Sequence, residues 1–210
     1  MDILIGTKNL YKATEMVSLI NANLKINIHY LKDKNIKIKI EEDQPSLIKN
    51  AEKKAVEISK LTDYYVLTSD GGVDIPGLGK RWDILKNQRI VGENNTDIVK
   101  ADNLLRLMKD LNGTKRKVEY YLALALAKNG KLIWSAQDIY DKGYIVENLP
   151  DRNIPTYLWM SHLWYYPKYK RVFNKLTKQE KEEVRKQGIG LKRRLLKIIK
   201  SLQLHTRRVI

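Results

Sequence analysis

The sequence predicts an α/β fold, and two stretches carry that prediction. Ile3–Thr7 has the pattern of a short strand, and a turn leads from it into Leu10–Asn21, where apolar residues recur at near-helical spacing. Tyr64–Ser69 is a second apolar run, which stops at Asp70 and the pair Gly71-Gly72. This pattern predicts a buried strand that delivers the Asp70 carboxylate to a turn with positive φ, at the kind of strand end where α/β sheets bind ligands. An ordinary strand with an Asp-Gly turn would have the same sequence.

Length and composition favour one compact cytoplasmic domain. The chain has 210 residues, enough for a substantial core, and we expect a single domain over residues 1–210. It has no cysteine, which excludes disulfides, thiolate metal sites and cysteine nucleophiles and suits a reducing compartment. Met1–Gly6 lacks the basic-then-apolar plan of a signal peptide, and no apolar run approaches a membrane-spanning length.

The charge is strongly positive and unevenly distributed. The chain has 40 Lys and Arg against 24 Asp and Glu, a formal net charge of +16. Residues 151–210 hold 16 basic and 4 acidic side chains, so +12 of that charge lies there. Such a field attracts nucleotides, nucleic acid or acidic surfaces. A solvated basic face explains the same composition.

Polar residues at two turns are candidates for binding phosphate and metal. Thr7, Asn9 and Lys12 surround the start of the first helix, where backbone N–H groups and the helix dipole favour an anion. A plain N-cap by Asn9 with a solvated Lys12 is the alternative. Glu41-Glu42-Asp43 follows a predicted strand, and the next helix carries Lys54 within reach of these carboxylates. Alternatively, the acidic residues only stabilise the N-terminus of that helix.

The other elements follow from periodicity and turn residues. They comprise strands Ile26–Tyr30 and Ile36–Ile40, a helix from Pro45-Ser46, a loop Ile75–Asn95, a helix Thr96–Leu111, a hairpin of Val118–Ala127 and Leu132–Tyr140, a short strand Gly143–Val146, and a helical region Lys181–Lys200. Thr177–Glu180 has the pattern of a capping box. Pro150–Tyr169 is rich in aromatic residues, which favours core packing but also permits base stacking beside nearby cations.

Three motifs then occur in a recognisable order. They are Thr7-Lys8-Asn9 with Lys12, Glu41-Glu42 followed by Asn50-Ala51 and Lys54-Ala55, and Ser69-Asp70-Gly71-Gly72-Val73. Their order and spacing resemble the inosine triphosphate pyrophosphatase family, whose members hydrolyse aberrant purine nucleoside triphosphates to a monophosphate and pyrophosphate. The resemblance implies a mixed twisted central sheet flanked by helices, with two lobes around a nucleotide cleft. It also implies Mg²⁺ as cofactor and a homodimer.

The resemblance also implies roles for individual residues. Asp70 matches the family's proton acceptor for water, and Lys54 matches a lysine that neutralises phosphate. Glu41 or Glu42, together with Asp70, is expected to bind Mg²⁺, which prefers carboxylates, water and phosphate oxygens. The residues expected to contact substrate are Thr7, Asn9, Lys12, Asn50, Gly71, Tyr165, Lys181 and Lys186.

The chain departs from the family pattern beside Asp70 and, more extensively, at the base end. Ser69 and Gly71 stand where the family has Asp and Ser, and Tyr166 stands where it has an Asp. Lys186-Gln187 replaces a His-Arg pair. We therefore expect relaxed or shifted base selectivity. The alternative is a catalytically impaired homologue that acts as a nucleic-acid-binding or nucleotide-sensing protein, since the C-terminal region is basic and aromatic.

Overall fold

The computed structural model describes residues 1–20, 24–153 and 159–208, with side chains up to residue 204. Seven strands form one sheet in the order β2-β1-β3-β4-β5-β6-β7. The strands are β1 Asp2–Ile5, β2 Asn27–Tyr30, β3 Tyr65–Asp74, β4 Lys117–Lys128, β5 Lys131–Ile145, β6 Trp164–Tyr166 and β7 Arg171–Val172. The helices are α1 Leu10–Leu19, α2 Leu47–Ser59, α3 Asn87–Val91, α4 Asp97–Leu107, α5 Lys178–Arg185 and α6 Ile189–Arg208.

The sheet is mixed, as the family resemblance implies. β1 pairs in parallel with both β2 and β3, so its short apolar run lies between two neighbours. β6 pairs antiparallel with β5 and β7. Ile3, Leu4 and Ile5 are fully buried, which explains why β1 is continuously apolar rather than alternating.

The chain divides into two compact units. The first comprises Met1–Gly71, Leu122–Asp138 and Gly188–Ile210, and the second comprises Gly72–Tyr121 and Ile139–Gln187. In the first unit, Leu4, Leu31, Ile58 and Val66 form one buried apolar cluster.

The core of the second unit explains the aromatic segment. Trp159, Trp164 and Tyr166 are buried among aliphatic side chains from α4 and the neighbouring strands. Core packing, rather than a stacking surface, therefore accounts for these three residues. Arg116 is also buried here, and its guanidinium donates to the carbonyls of Ile145, Met108, Leu111 and Val146.

One predicted strand is wrong, and the bounds of another need correction. Residues 36–40 form no strand, although Ile36, Ile38 and Ile40 pack against the apolar cluster of the first unit. Gly143–Val146 is not a separate strand, because β5 continues through Asp141 and Lys142 to Ile145. Alternation of apolar residues reports which side chains are buried, whereas strand pairing depends on a partner elsewhere in the chain.

The helical predictions need two corrections. The segment Ile75–Asn95 is not simply a loop, since it contains a 3₁₀ turn at Pro76–Arg81 and α3. The predicted region Lys181–Lys200 is two helices, α5 and α6, separated by a 3₁₀ turn at Lys186–Gly188. The capping box is confirmed, because Thr177 and Glu180 exchange side-chain-to-backbone hydrogen bonds. Among the described residues, no helix is both long and apolar enough to cross a membrane.

Candidate active site

Asp70 is the centre of the candidate site. It lies in β3 and is 3% exposed, and its Oδ1 is 3.3 Å from Lys54 Nζ and 3.7 Å from Lys12 Nζ. The sequence-based expectation of a turn here is wrong, since β3 continues through Gly71 and Gly72 to Asp74 and neither glycine has positive φ. Glycine permits a turn but does not require one. Asp70 is thus a buried carboxylate in the middle of a continuous strand, and two lysines from neighbouring helices lie beside it.

The start of α1 supplies one of those cations. Asn9 is the N-cap, and its Oδ1 accepts hydrogen bonds from the backbone N–H groups of Tyr11 and Lys12. Thr7 Oγ1 accepts from the backbone N–H of Asn9 at 3.1 Å. The N-cap interpretation of Asn9 is therefore confirmed, whereas Lys12 pairs with Asp70 instead of being only solvated. Phosphate binding by Thr7 and Asn9 stays a prediction.

The second cation comes from α2. Ser46 caps this helix by accepting from Lys49 N, and Lys54 is placed two turns into it. Lys54 Nζ donates to Glu42 Oε1 at 2.9 Å as well as to Asp70. The side chain of Lys54 is 13% exposed, so both ion pairs are partly shielded from water. The predicted proximity of Lys54 to the acidic segment is confirmed.

Hydrogen bonds hold the acidic segment, residues 41–43 with the adjoining Gln44, against the same helix. Asn50, buried at 3% exposure, accepts a hydrogen bond from Gln44 N through its Oδ1. Lys53 Nζ donates to the carbonyl of Glu41 at 3.2 Å and to Asp43 Oδ1 at 2.7 Å. Asn50 therefore positions this segment, and its predicted contact with substrate is not tested by the structure. Lys53 was missed by the sequence reasoning, because it matches no motif; helical spacing from Asn50 was the available signal.

The carboxylates of the site are suited to a hard divalent cation. Glu42 and Asp70 both contact Lys54, while Glu41 is exposed. In the described part of the chain, no three His, Cys, Asp or Glu side chains form a group that could hold a metal ion. Mg²⁺ commonly takes only one or two protein carboxylates and completes its shell with water and substrate phosphates. Two carboxylates are a donor set of the kind that Mg²⁺ uses, and binding of Mg²⁺ by Glu41 or Glu42 with Asp70 stays a prediction.

The residues predicted to bind the base all belong to the second unit. Tyr165 is half-buried in β6, where it is in register with Tyr144 and Val172. Lys181 Nζ lies 5.4 Å from the centroid of the Phe173 ring, and Lys186 is exposed after the end of α5. Their roles in binding substrate stay predictions.

One carboxyl group in the second unit had no signal in the sequence. Asp141 Oδ2 accepts from Tyr166 Oη at 2.5 Å, and its Oδ1 accepts from Gln187 Nε2 at 3.4 Å and from Lys142 N at 2.7 Å. Burial raises the pKa of Asp141 to about 7, against the lowering effect of the Tyr166 hydrogen bond. Tyr166 and Gln187, two of the departures from the family pattern, therefore meet at one carboxyl group.

The chain is similar to known proteins over nearly its whole length. A curated relative named dITP/XTP pyrophosphatase, from Clostridium perfringens, is 26% identical over 90% of this chain and 93% of the relative. A second relative of the same name, from Bacillus cereus, is 25% identical over 91% of this chain and 92% of the relative. A HAM1 protein from Coxiella burnetii has the same fold, with a TM-score of 0.77 at 22% identity over 96% of this chain and 99% of that chain. The Staphylococcus aureus Ham1 protein gives a TM-score of 0.74 at 19% identity, over 94% and 98%.

The family assignment rests on a match along nearly the whole chain. The model of the Ham1 family matches residues 3–195, which include β1, the acidic segment, α2 and β3. All the residues around Asp70 described above fall within that match. The chain therefore belongs to the Ham1 family.

Proposed function

We propose that this protein hydrolyses non-standard purine nucleoside triphosphates, of the dITP and XTP kind, to a nucleoside monophosphate and pyrophosphate. The observation that carries the proposal is the buried Asp70 carboxylate beside Lys54 and Lys12. Relatives that match about nine-tenths of the chain are named as pyrophosphatases for those substrates. A catalytically impaired homologue is not favoured, because the cations and the carboxylate needed for the reaction are brought together.

The chemistry requires a base and positive charge in one place. Water attacks the α-phosphorus, the bond from that phosphorus to the bridging oxygen breaks, and pyrophosphate leaves. Asp70 accepts the proton of the attacking water, since a positioned carboxylate can act as general base. Lys12 and Lys54 neutralise the phosphate oxygens, and this stabilises the charge that develops as the bond breaks. Thr7 and Asn9, at the start of α1, are the proposed contacts of the same phosphates, since the positive end of the helix dipole favours an anion there.

Mg²⁺ is the proposed cofactor, and Glu42 and Asp70 are the residues that would hold it, with Glu41 as an exposed neighbour. When bound, the ion supplies additional charge neutralisation on the triphosphate. The protein's part is to keep both carboxylates beside Lys54, and Asn50 and Lys53 do this by fixing the acidic segment onto α2.

Base selectivity is proposed to be relaxed or shifted relative to the family. Tyr166 and Gln187 are engaged with Asp141, so the donors and acceptors at these positions differ from those of an Asp and a His-Arg pair. A base that leaves a buried polar group unpaired loses about 1–3 kcal/mol per group. Tyr165, Lys181 and Lys186 are the proposed contacts of the base end. Stacking by Tyr165 would tolerate any base.

We further propose, from the family resemblance, that the enzyme is a cytoplasmic homodimer. Size-exclusion chromatography with light scattering tests the oligomeric state directly, since a monomer and a dimer of a 24.5 kDa chain are well separated in mass.

The central experiment is a pyrophosphate-release screen over inosine, xanthosine, guanosine, adenosine and pyrimidine triphosphates, with Mg²⁺ and with EDTA. We expect release from at least one purine triphosphate with Mg²⁺ and its loss with EDTA. No release from any triphosphate would overturn the enzymatic assignment. A preference for inosine and xanthosine forms of about a hundredfold, or about 2.7 kcal/mol, would instead overturn only the proposed change in selectivity.

A further inference from the structure

The C-terminal helix α6 has an unusual distribution of charge. Its 20 residues include seven Lys and Arg and no acidic residue. Leu191, Leu195 and Ile199 are completely buried in the first unit, whereas Ile189 and Leu204, near the two ends of the helix, are exposed. Between these ends the exposed side chains of α6 are mainly Lys and Arg.

Two of the cations hold α6 in place. Lys192 Nζ donates to the carbonyl of Ser18 at 3.0 Å, and Arg194 pairs with Asp138 Oδ2 at 2.7 Å. Further along the helix, Gln203 Nε2 donates to the carbonyl of Lys25 at 3.1 Å. These contacts, together with the buried apolar side, fix α6 rigidly on the unit.

Three other cations form what we call the α6 stripe: Arg193, Lys197 and Lys200. Their spacing of four and three residues puts them on one face of the helix, and all three are exposed. Within the part of the chain that the structure describes, no carboxylate lies within 4.0 Å of any of them to form an ion pair. The stripe extends about 10 Å along the helix axis, at about 1.5 Å per residue. It is thus a rigid row of cations with no acidic partner among the described residues.

We propose that the α6 stripe binds the phosphate backbone of duplex nucleic acid without sequence preference, as an activity separate from nucleotide hydrolysis. Phosphates of one strand recur about every 3.4 Å along the duplex axis, so the stripe spans about three of them. Contacts from Lys and Arg to phosphate oxygens carry no sequence information, so binding of the backbone through the stripe does not depend on the bases. An anionic membrane is the weaker candidate, because Leu191, Leu195 and Ile199 are buried and leave α6 no continuous apolar face to enter the lipid boundary.

The test measures binding of a fluorescent 30-base-pair DNA duplex to the full protein between 50 and 200 mM salt. Three contacts contribute a slope of about −2.7 in log affinity against log salt, or about a 40-fold loss over that range. We expect the wild-type slope to become shallower by about this contribution when all three residues are replaced, in the triple variant Arg193→Gln, Lys197→Gln and Lys200→Gln. The charge-retaining triple Arg193→Lys, Lys197→Arg and Lys200→Arg should bind like the wild type. Pyrophosphate release should be unchanged in both triples, because none of the stripe residues contacts Asp70, Lys54 or Lys12; this readout also shows that the variants are folded.

A matched control separates a local site from net charge. Lys80, Lys109 and Lys115 are exposed in the second unit, and replacing all three with Gln lowers the net charge by the same amount. The control triple should retain the wild-type slope. An equal loss in the control and the stripe variant, or no binding of DNA or RNA duplex at 50 mM salt, would overturn the proposal. Tighter binding to anionic phospholipid vesicles than to duplex, lost in the stripe variant, would also overturn it and assign the surface to membranes.

Discussion

Lys54 Nζ lies 3.3 Å from Asp70 Oδ1, so the candidate base and the candidate phosphate-binding cation form a largely buried ion pair before any substrate is present. The same ammonium also contacts Glu42 at 2.9 Å. Burial of a carboxylate is costly unless a cation compensates it, and Lys54 with Lys12 provides that compensation. Arrival of a triphosphate would give both lysines new anionic partners and release Asp70 to act on water.

Replacing Asp70 with Asn should abolish turnover while leaving the fold intact. The amide has a similar size but cannot accept the proton of water and is a poor metal ligand. Pyrophosphate release measures the first effect, and circular dichroism checks the second. Glu57→Gln is a suitable control, because Glu57 pairs with Lys60 on the exposed side of α2. Near-wild-type release by the Asp70→Asn variant would contradict both roles of Asp70.

Replacing Lys54 with Ala should reduce kcat/KM by about 10- to 150-fold. Loss of a charge-assisted hydrogen bond to phosphate costs about 1.5–3 kcal/mol, which converts to that range. Steady-state kinetics provide the measurement, with Lys49→Ala as control, since Lys49 pairs with Glu52 away from Asp70. A variant with normal kinetics and only a lower melting temperature would show that Lys54 is structural.

Replacing Asn50 with Ala should destabilise the protein by about 1–3 kcal/mol, because the backbone N–H of Gln44 loses its partner. Since the acidic segment is then held less firmly, the concentration of Mg²⁺ needed for half-maximal activity should also rise. Urea unfolding and a Mg²⁺ titration measure the two effects. Unchanged stability and unchanged Mg²⁺ response would mean that the Asn50 contact does not position the segment.

Asp141 should make stability depend on pH. Burial raises its pKa from the ordinary value of 3.8 to about 7. Between these values the folded state binds more protons than the unfolded state, so the free energy of unfolding contributed by this group falls as the pH rises from about 4 to about 7. Asp141→Asn cannot ionise, so this part of the pH dependence should disappear. Urea unfolding at several pH values compares the two proteins, and identical pH profiles would contradict the assignment.

Replacing Arg116 with Lys should destabilise the protein by about 2–4 kcal/mol. A lysine keeps the charge but cannot reach all four carbonyls that the guanidinium serves, and buried acceptors left unpaired cost about 1–3 kcal/mol each. Arg81→Lys is the matched control, because Arg81 is exposed and donates to one carbonyl, that of Leu107. Equal losses of unfolding free energy in the two variants would show that the buried network has no special importance.

The predictions made from sequence patterns succeeded where the element is stabilised by residues close to it in the chain. The helices α1 and α2, the hairpin of β4 and β5 and the capping box of Thr177 depend on residues close in the chain, and the structure has them all. The predictions for residues 36–40 and for the turn at Gly71-Gly72 failed. In both cases the outcome depends on whether another strand lies alongside, which periodicity does not report.

The sequence by itself therefore determined the α/β class, the order of the motifs and the identity of Asp70, Lys54 and Lys12 as candidate site residues. Only the tertiary structure decided which groups meet. Lys54 lies 16 residues from Asp70, and Asp141 lies 25 residues from Tyr166 and 46 from Gln187. Contacts over such separations are set by strand register and by where each helix packs, because a shift of one residue in a strand turns every side chain to the other face.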